Sequence, residues 1–355
     1  LISLKTISVV APHLKRRLSG VTSTVIQLVP EQTLLGRGIV TLGPGLPKTL
    51  PKMGWLQLPS LWFAPQGSST RVWHARRNTE MLLGVFLKAV LRMRLKLLFT
   101  SAAQRRHSGY TRGLIRRMDA VIATSARSGA FLEVPHTVIL HGIDLKRFHP
   151  PQDDADTMAA TGLPGRHLVG CFGRVRHQKG TDLFVRAMIE LLPQNPDWTA
   201  IVCGRVTPEH KPFGDALKAS VEAAGLSERI VFAGEVDDIK PWYRRATLYV
   251  APSRNEGFGL TPLEAMASST AVVASDAGAY AEMIVPDETG AVTPAGDYEA
   301  LRDAIRPYIL DPDLARRHGE NGLAHVTAQF ALAKEATAID AVYDRLLTPA
   351  AKRSS

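Results

Sequence analysis

Two glutamates separated by seven residues, Glu256 and Glu264, stand in the stretch A-P-S-R-N-E-G-F-G-L-T-P-L-E-A-M-A between Ala251 and Ala267. Gly257 and Gly259 between them allow backbone N–H groups to approach a ligand closely. Thr261 and Pro262 suit the cap and first turn of a helix, whose N-terminus favours negative charge. Carboxylates beside such a turn are poor ligands for an anion. They are good acceptors for hydroxyl groups on a molecule that also carries phosphate, and a nucleotide sugar is such a molecule. Taken alone, the residues also fit a strand–turn–helix junction with a capping carboxylate. A second cluster favours the ligand. Residues 168–180 read L-V-G-C-F-G-R-V-R-H-Q-K-G, an apolar run ending at Gly173 and followed by Arg174, Lys179 and Gly180. The run suits a buried parallel strand, and the pattern from Thr181 to Leu192 suits the helix after it. The basic pair therefore emerges at the carboxyl end of a strand, where open α/β sheets bind ligands. A guanidinium fork and an ammonium charge together can hold a diphosphate.

Gly173-Arg174 and Lys179-Gly180, followed by Glu256, Phe258, Gly259, Leu260 and Glu264 in the order E-x-F-G-L-x-x-x-E, resemble the retaining family-4 glycosyltransferases of the GT-B fold. The resemblance is strong over the second half of the chain and weak over the first. It implies an α/β protein of two Rossmann-like domains facing each other across a cleft. It implies that Arg174 and Lys179 hold the donor diphosphate and that Glu256, with the loop amides from Gly257 to Leu260, contacts the transferred sugar. Glu264 then contacts the ribose. Catalysis falls to Arg174, Lys179 and Glu256, by same-face attack in which the departing diphosphate helps accept the acceptor's proton. Two further segments, V-W-H-A-R-R-N (72–78) and F-T-S-A-A-Q-R-R-H-S (99–108), are similar to the lipopolysaccharide-core mannosyltransferases of rhizobia and their relatives. This finer likeness implies GDP-mannose as donor and a lipid-linked saccharide as acceptor. No cofactor is implied. No metal is implied either, because no Asp-x-Asp cluster sits in a suitable loop; Asp153-Asp154 and Asp237-Asp238 read as linker and helix-start charges.

Elements must position these groups, and their rhythm is βαβα in both halves. In the first half, Thr6–Ala11, Ile39–Leu42, Arg71–His74, Leu95–Thr100, Ala120–Thr124 and Thr137–Leu140 read as strands. The second half places strands at 167–172, 198–203, 229–233, 247–251, 271–274 and 290–293. At 355 residues the chain exceeds one core, and a domain boundary is expected at His149-Pro150-Pro151. The expected division is 1–150 for the acceptor side, 151–330 for the nucleotide sugar, and 331–355 for a tail whose helix, Lys334–Leu347, the resemblance carries back onto the first domain. Ser19 and Gly20 follow the first strand where the family has a glycine-rich donor loop, with Ser19 replacing one glycine. His141-Gly142-Ile143-Asp144 stands where the family has Asn-Gly-Val-Asp, near the interdomain hinge. His74, Arg76 and His107 lie at strand ends and are candidate contacts for sugar or acceptor, although a lone histidine is more often structural.

Charge divides unevenly. Residues 1–150 hold 22 Lys and Arg against five Asp and Glu, and residues 151–355 hold 21 against 28. Such a basic half attracts an anionic acceptor or acidic phospholipid, unless it is simply a solvated face. Aromatic content of 6% and the lack of any helix-turn-helix, zinc or RNA-recognition signature argue against nucleic acid. Met81–Phe99 is the longest apolar stretch, but four basic residues interrupt it, so it does not read as a membrane span. The first 20 residues lack a secretory pattern, so a cytoplasmic location is expected, and the basic half adds the expectation of a peripheral place on the inner membrane's cytoplasmic face. Cys171 and Cys203 sit in apolar runs and read as buried thiols. Other classes fit less well. A nicotinamide enzyme lacks its third glycine, a GT-B epimerase or phosphorylase would share the fold, and a non-enzymatic membrane or nucleic-acid binder leaves both donor loops unexplained.

Overall fold

β-Branched, apolar runs of four to seven residues are too short for helices and dictate buried strands, and most strands of the protein arise from them. The computed structural model describes residues 3–15 and 20–348. Its first sheet contains β1 (Val9–Pro12), β2 (Ile39–Leu42), β3 (Lys52–Met53), β4 (Arg71–Ala75), β5 (Leu95–Ser101), β6 (Ala120–Ala123) and β7 (Thr137–Val138). The second contains β8 (His167–Phe172), β9 (Trp198–Cys203), β10 (Ile230–Gly234), β11 (Leu248–Ala251), β12 (Ala271–Ser275) and β13 (Gly290–Thr293). Strand orders are β3-β2-β1-β4-β5-β6-β7 and β10-β9-β8-β11-β12-β13, with parallel pairing throughout. Each sheet therefore grows outward in both directions from its first strand. The reversal points lie between β1 and β4 and between β8 and β11.

Helices connect the strands. In the first half these are α1 (Gly20–Leu34), α2 (Asn78–Ala89), α3 (Gly109–Ile115) and α4 (Ala126–Gly129). The second half holds α5 (Thr181–Leu191), α6 (Lys211–Ala223), α7 (Lys240–Arg245), α8 (Thr261–Ala267), α9 (Tyr280–Met283), α10 (Tyr298–Leu310) and α11 (Pro312–Gln329), and α12 (Leu332–Leu347) closes the chain. On α5 the three- and four-residue spacing of Phe184, Ala187, Met188 and Leu191 gives one apolar face, which packs into the core of the second sheet.

The chain divides into two compact units, Leu1–Gly142 with Leu332–Ser355, and Ile143–Ala331. The division falls earlier than His149, inside His141-Gly142-Ile143-Asp144, because Ile143 donates its N–H to Phe330 and forms a bridge with Ala331. Phe148 packs edge-on against Tyr243, so residues 143–150 are part of the second unit. Helix α12 is part of the first. Its Ile339, Val342 and Tyr343 share a core with Val25, Leu28 and Val29 of α1. Arg37 grips Asp340 with two bonds of 2.8 and 2.6 Å and Asp344 with a third of 2.6 Å.

Three local expectations are corrected. Thr6 ends a 3-10 turn, Leu4–Thr6, and the first strand starts only at Val9. The edge strand β3 was not expected, since Lys52-Met53 carries no apolar run. Gly20, expected in a loop, opens α1, which runs to Leu34 with Pro30 inside it. Ser19 lies outside the described residues.

Candidate active site

Strands β8 and β11 are neighbours in the second sheet although far apart in sequence, and this brings the two predicted loops together. Each loop leaves the carboxyl end of its strand at the reversal point, the position at which doubly wound sheets bind ligands. Lys179 and Glu256, 77 residues apart, form an ion pair there. Gly173 breaks out of β8 with φ of 133°, a conformation that favours glycine. Lys179 closes a single 3-10 turn, His177–Lys179, before α5 begins. A clamp outside the ion pair fixes the spacing of the loops. Arg254 donates two parallel bonds of 2.7 Å to Asp182 at the start of α5 and a third, also 2.7 Å, to the carbonyl of His177. Its backbone N–H adds a bond to the carbonyl of Gln178. Arg174 does not join the pair: it is exposed and makes no ion pair among the described residues.

Ser253 and Tyr280 place their hydroxyls 3.3 and 3.5 Å from the same Glu256 oxygen that Lys179 holds. Gly259, at φ of 81°, lets the loop pass over the Tyr280 ring; a Cβ there would stand 3.0 Å from the phenolic oxygen. Phe258 is buried, Gly257 is exposed, and Leu260 stands just before α8. Cys171, Gly173, Lys179, Ser253, Thr261 and Tyr280 line a small pocket.

Glu264, on the first turn of α8, accepts a 2.7 Å hydrogen bond from Tyr243. Burial raises its pKa above the ordinary carboxylate range, while the Tyr243 bond and the charges of Arg147 and Lys179 act in the opposite direction. Lys179 thus faces one carboxylate at contact and a second at longer range. The thiols of Cys171 and Cys203 are both buried and pushed up to about 12 by that burial, so neither is a nucleophile near neutral pH. Tyr243, Ser253, Tyr280, Arg147 and the Arg254–Asp182 clamp escaped the reading of the sequence. Only Ser253 and Arg254 lie inside a motif, and nothing in their spacing announces a partner.

The family model for group 1 glycosyl transferases matches residues 154–325. The chain is 70% identical over 344 residues to the lipopolysaccharide core biosynthesis mannosyltransferase LpcC of Rhizobium leguminosarum bv. viciae, covering 97% of this chain and 98% of that one. It is 54% identical over 350 residues to the lipopolysaccharide core biosynthesis mannosyltransferase LpsB of Rhizobium meliloti (strain 1021), covering 98% and 100%. Among solved structures, Anabaena HepE in complex with UDP superposes with a TM-score of 0.81 at 19% identity, over 96% of this chain and all of that one. The chain belongs to the group 1 glycosyltransferases. Its two parallel sheets wrapped by helices are the GT-B fold, and it is a sugar-transferring enzyme. Its substrates are accordingly an activated sugar donor and a saccharide acceptor.

In this glycosyltransferase the candidate residues of the first unit are placed differently. His74 is fully buried at the end of β4, with its Nδ1 2.6 Å from the Tyr343 hydroxyl and its Nε2 2.7 Å from Thr100. Both ring nitrogens are engaged, which leaves His74 no free edge for a sugar and makes it a pin between β4, β5 and α12. Arg76 is also buried, turned back towards the His74 carbonyl at 3.3 Å. His107 is half-buried, 3.2 Å from Ser101 in the loop after β5, and it alone of the three retains exposed surface of any size. At the reversal point between β1 and β4 stands a residue that the sequence did not single out. His13 lies 3.0 Å from Arg77 and 3.5 Å from Thr22, and Arg77 reaches Glu80 at 3.3 Å. Desolvation, then the charges of Arg77 and Arg76, hold the His13 imidazole down at about 4.

Proposed function

We propose that this enzyme is a retaining mannosyltransferase that takes mannose from GDP-mannose and places it on an anionic, lipid-linked saccharide of the lipopolysaccharide core. The observation that carries the proposal is the meeting of Lys179, Glu256 and Glu264 at the carboxyl ends of β8 and β11. The names of the two full-length relatives support the sugar and the acceptor. Breaking the anomeric C–O bond builds charge on the departing diphosphate while the sugar becomes oxocarbenium-like. Lys179 and exposed Arg174 supply the compensating charge, worth most as the transition state forms. Glu256 accepts from the hexose hydroxyls and Glu264 from the ribose. Because Lys179 and Glu256 hold each other, donor binding is an exchange: diphosphate takes Lys179 and the hexose takes Glu256. No metal or cofactor enters this scheme.

The protein works in the cytoplasm at the inner membrane. Among the described residues no helix is long and apolar enough to cross a membrane, and the basic first half suits electrostatic contact with anionic lipid. Thermal-shift titration against GDP, UDP and ADP and their hexose conjugates tests the donor. GDP-mannose is expected to stabilise most, and a stronger response to UDP-glucose overturns the base and sugar together. Lys179→Ala and Arg174→Ala are each expected to lower transfer at least ~10-fold, the loss of one charge-assisted contact of ~1.5–3 kcal/mol. Unchanged transfer in both refutes the diphosphate role.

A further inference from the structure

Residues 32–118 contain fifteen Lys and Arg but a single carboxylate, Glu80, and that one is fully buried. The same span leaves large apolar side chains in water. Leu56 is 97% exposed, Phe63 72% and Val90 62%, and Trp55, Trp62, Leu82 and Phe86 are each roughly half exposed. They come from two elements. Trp55, Leu56, Trp62 and Phe63 sit on or beside the 3-10 helix Trp55–Trp62, whose Leu61 is buried and whose Leu58 packs on the core. Leu82, Phe86 and Val90 follow one another at four-residue spacing along α2 and therefore share a face. The Trp62 indole N–H donates to the Leu91 carbonyl at 2.6 Å, which joins the two surfaces.

Single exposed apolar residues are ordinary, whereas a contiguous set marks an interaction. The charges nearby in sequence indicate the occupant. Lys48 and Lys52 precede the 3-10 helix and Arg92 and Arg94 follow α2; all four are exposed and form no ion pair among the described residues. The nearest exposed carboxylate, Asp119, is held by Lys88 of α2 at 2.6 Å. Tryptophan, aliphatic residues and an excess of free cations are the composition of a surface that lies in the headgroup layer of an anionic bilayer.

We propose that the 3-10 helix at 55–62 with Phe63, together with the outer face of α2, inserts its apolar side chains into the interfacial layer of an anionic membrane. Lys48, Lys52, Arg92 and Arg94 then lie among the headgroups. This rests on the membrane contact proposed above and adds to it a defined wedge that enters the lipid. The test is flotation of the full-length chain with vesicles of phosphatidylglycerol and phosphatidylethanolamine, and with phosphatidylcholine alone. The companion variant is Leu56→Asp/Phe63→Asp, two exposed positions that leave the core intact. Wild type is expected to float with the anionic vesicles and the variant to bind at least tenfold more weakly, while the GDP thermal shift of both proteins stays the same. Lipids brominated near the headgroup are expected to quench wild-type tryptophan fluorescence, and Trp55→Phe/Trp62→Phe to abolish most of that quenching. Equal flotation of wild type and variant overturns insertion but leaves charge-driven contact standing. No flotation of wild type overturns both, and neither result touches donor binding, which the GDP shift reports separately.

Discussion

At the reversal point between β8 and β11, Lys179 and Glu256 keep 22% and 15% of their side-chain surface in water, and Lys179 lines a small pocket. At the matching point between β1 and β4, His13 and Glu80 are almost wholly buried, and Arg77 holds both. Both sheets are wound the same way, so topology alone does not decide which crevice carries exposed charge. The difference lies in what surrounds the charges. In the second unit, loops rich in glycine leave the ion pair accessible to a ligand with charges of its own. In the first, α2 starts immediately after Arg77 and its first-turn Glu80 turns back to accept from the Arg76 N–H at 2.8 Å. The first crevice therefore buries its charges in structure, and the second leaves them partly in water.

The largest expected effect breaks this contrast if it fails. Glu80→Ala removes the carboxylate that satisfies both Arg77 and the Arg76 amide in a buried place. Loss of one partner of a buried pair costs ~3 kcal/mol or more. Urea unfolding should show that loss, and Glu256→Gln should show less than ~1 kcal/mol of it while losing most transfer activity. Equal destabilisation by the two substitutions would mean that both crevices are structural.

The next effect sharpens the comparison through pH. His13 is held at about 4 when folded, against 6.5 for a free imidazole, first by desolvation and then by Arg77 and Arg76. Between those values the unfolded chain binds a proton that the folded chain refuses, so stability is full above about pH 6.5 and drains away as pH falls towards 4. Fully buried His74, also lowered by desolvation and Arg76, acts in the same direction. Discounted for screening of the neighbouring arginine charges, the loss attributable to His13 is roughly 1–2 kcal/mol. Melting temperatures of wild type should fall over this range, and those of His13→Gln should fall less. Parallel curves would show that His13 titrates normally.

The second unit was more legible in the sequence than the first, for a physical reason. Strands β8 and β9 are continuous apolar runs because both their faces are covered, and their expected spans, 167–172 and 198–203, are those observed. Lys52-Met53 forms a strand only because β2 offers it an edge, and two residues carry no period. The two candidate loops could be read because each sits next to its own strand. What holds them could not. Arg254 finds Asp182 across 72 residues, and Tyr243 finds Glu264 from another helix. His74 was visible as a chemical group, but Tyr343, 269 residues away, occupies one of its nitrogens. Sequence displays the group and its local element; partners brought in by topology appear only in the fold.

The smallest expected effect tests such a partner inside the exchangeable crevice. Tyr243 is buried, with its ring edge-on to Phe172 at 4.8 Å and its hydroxyl donating to Glu264. Tyr243→Phe keeps the ring packing and deletes only the hydrogen bond, a change of ~1 kcal/mol. Without that donor the Glu264 carboxylate is freed in rotation, and its pKa, already raised by burial, rises further. If Glu264 accepts from the ribose, nucleoside diphosphate affinity should fall about fivefold, and more at mildly acid pH, where the carboxyl begins to protonate. Inorganic pyrophosphate, which has no ribose, should bind the variant as it binds wild type. Isothermal titration of both ligands at two pH values separates the possibilities. Equal weakening of nucleotide and pyrophosphate would place the damage at Lys179 instead, and no weakening of either would leave Tyr243 as a core residue whose bond to Glu264 has no bearing on the donor.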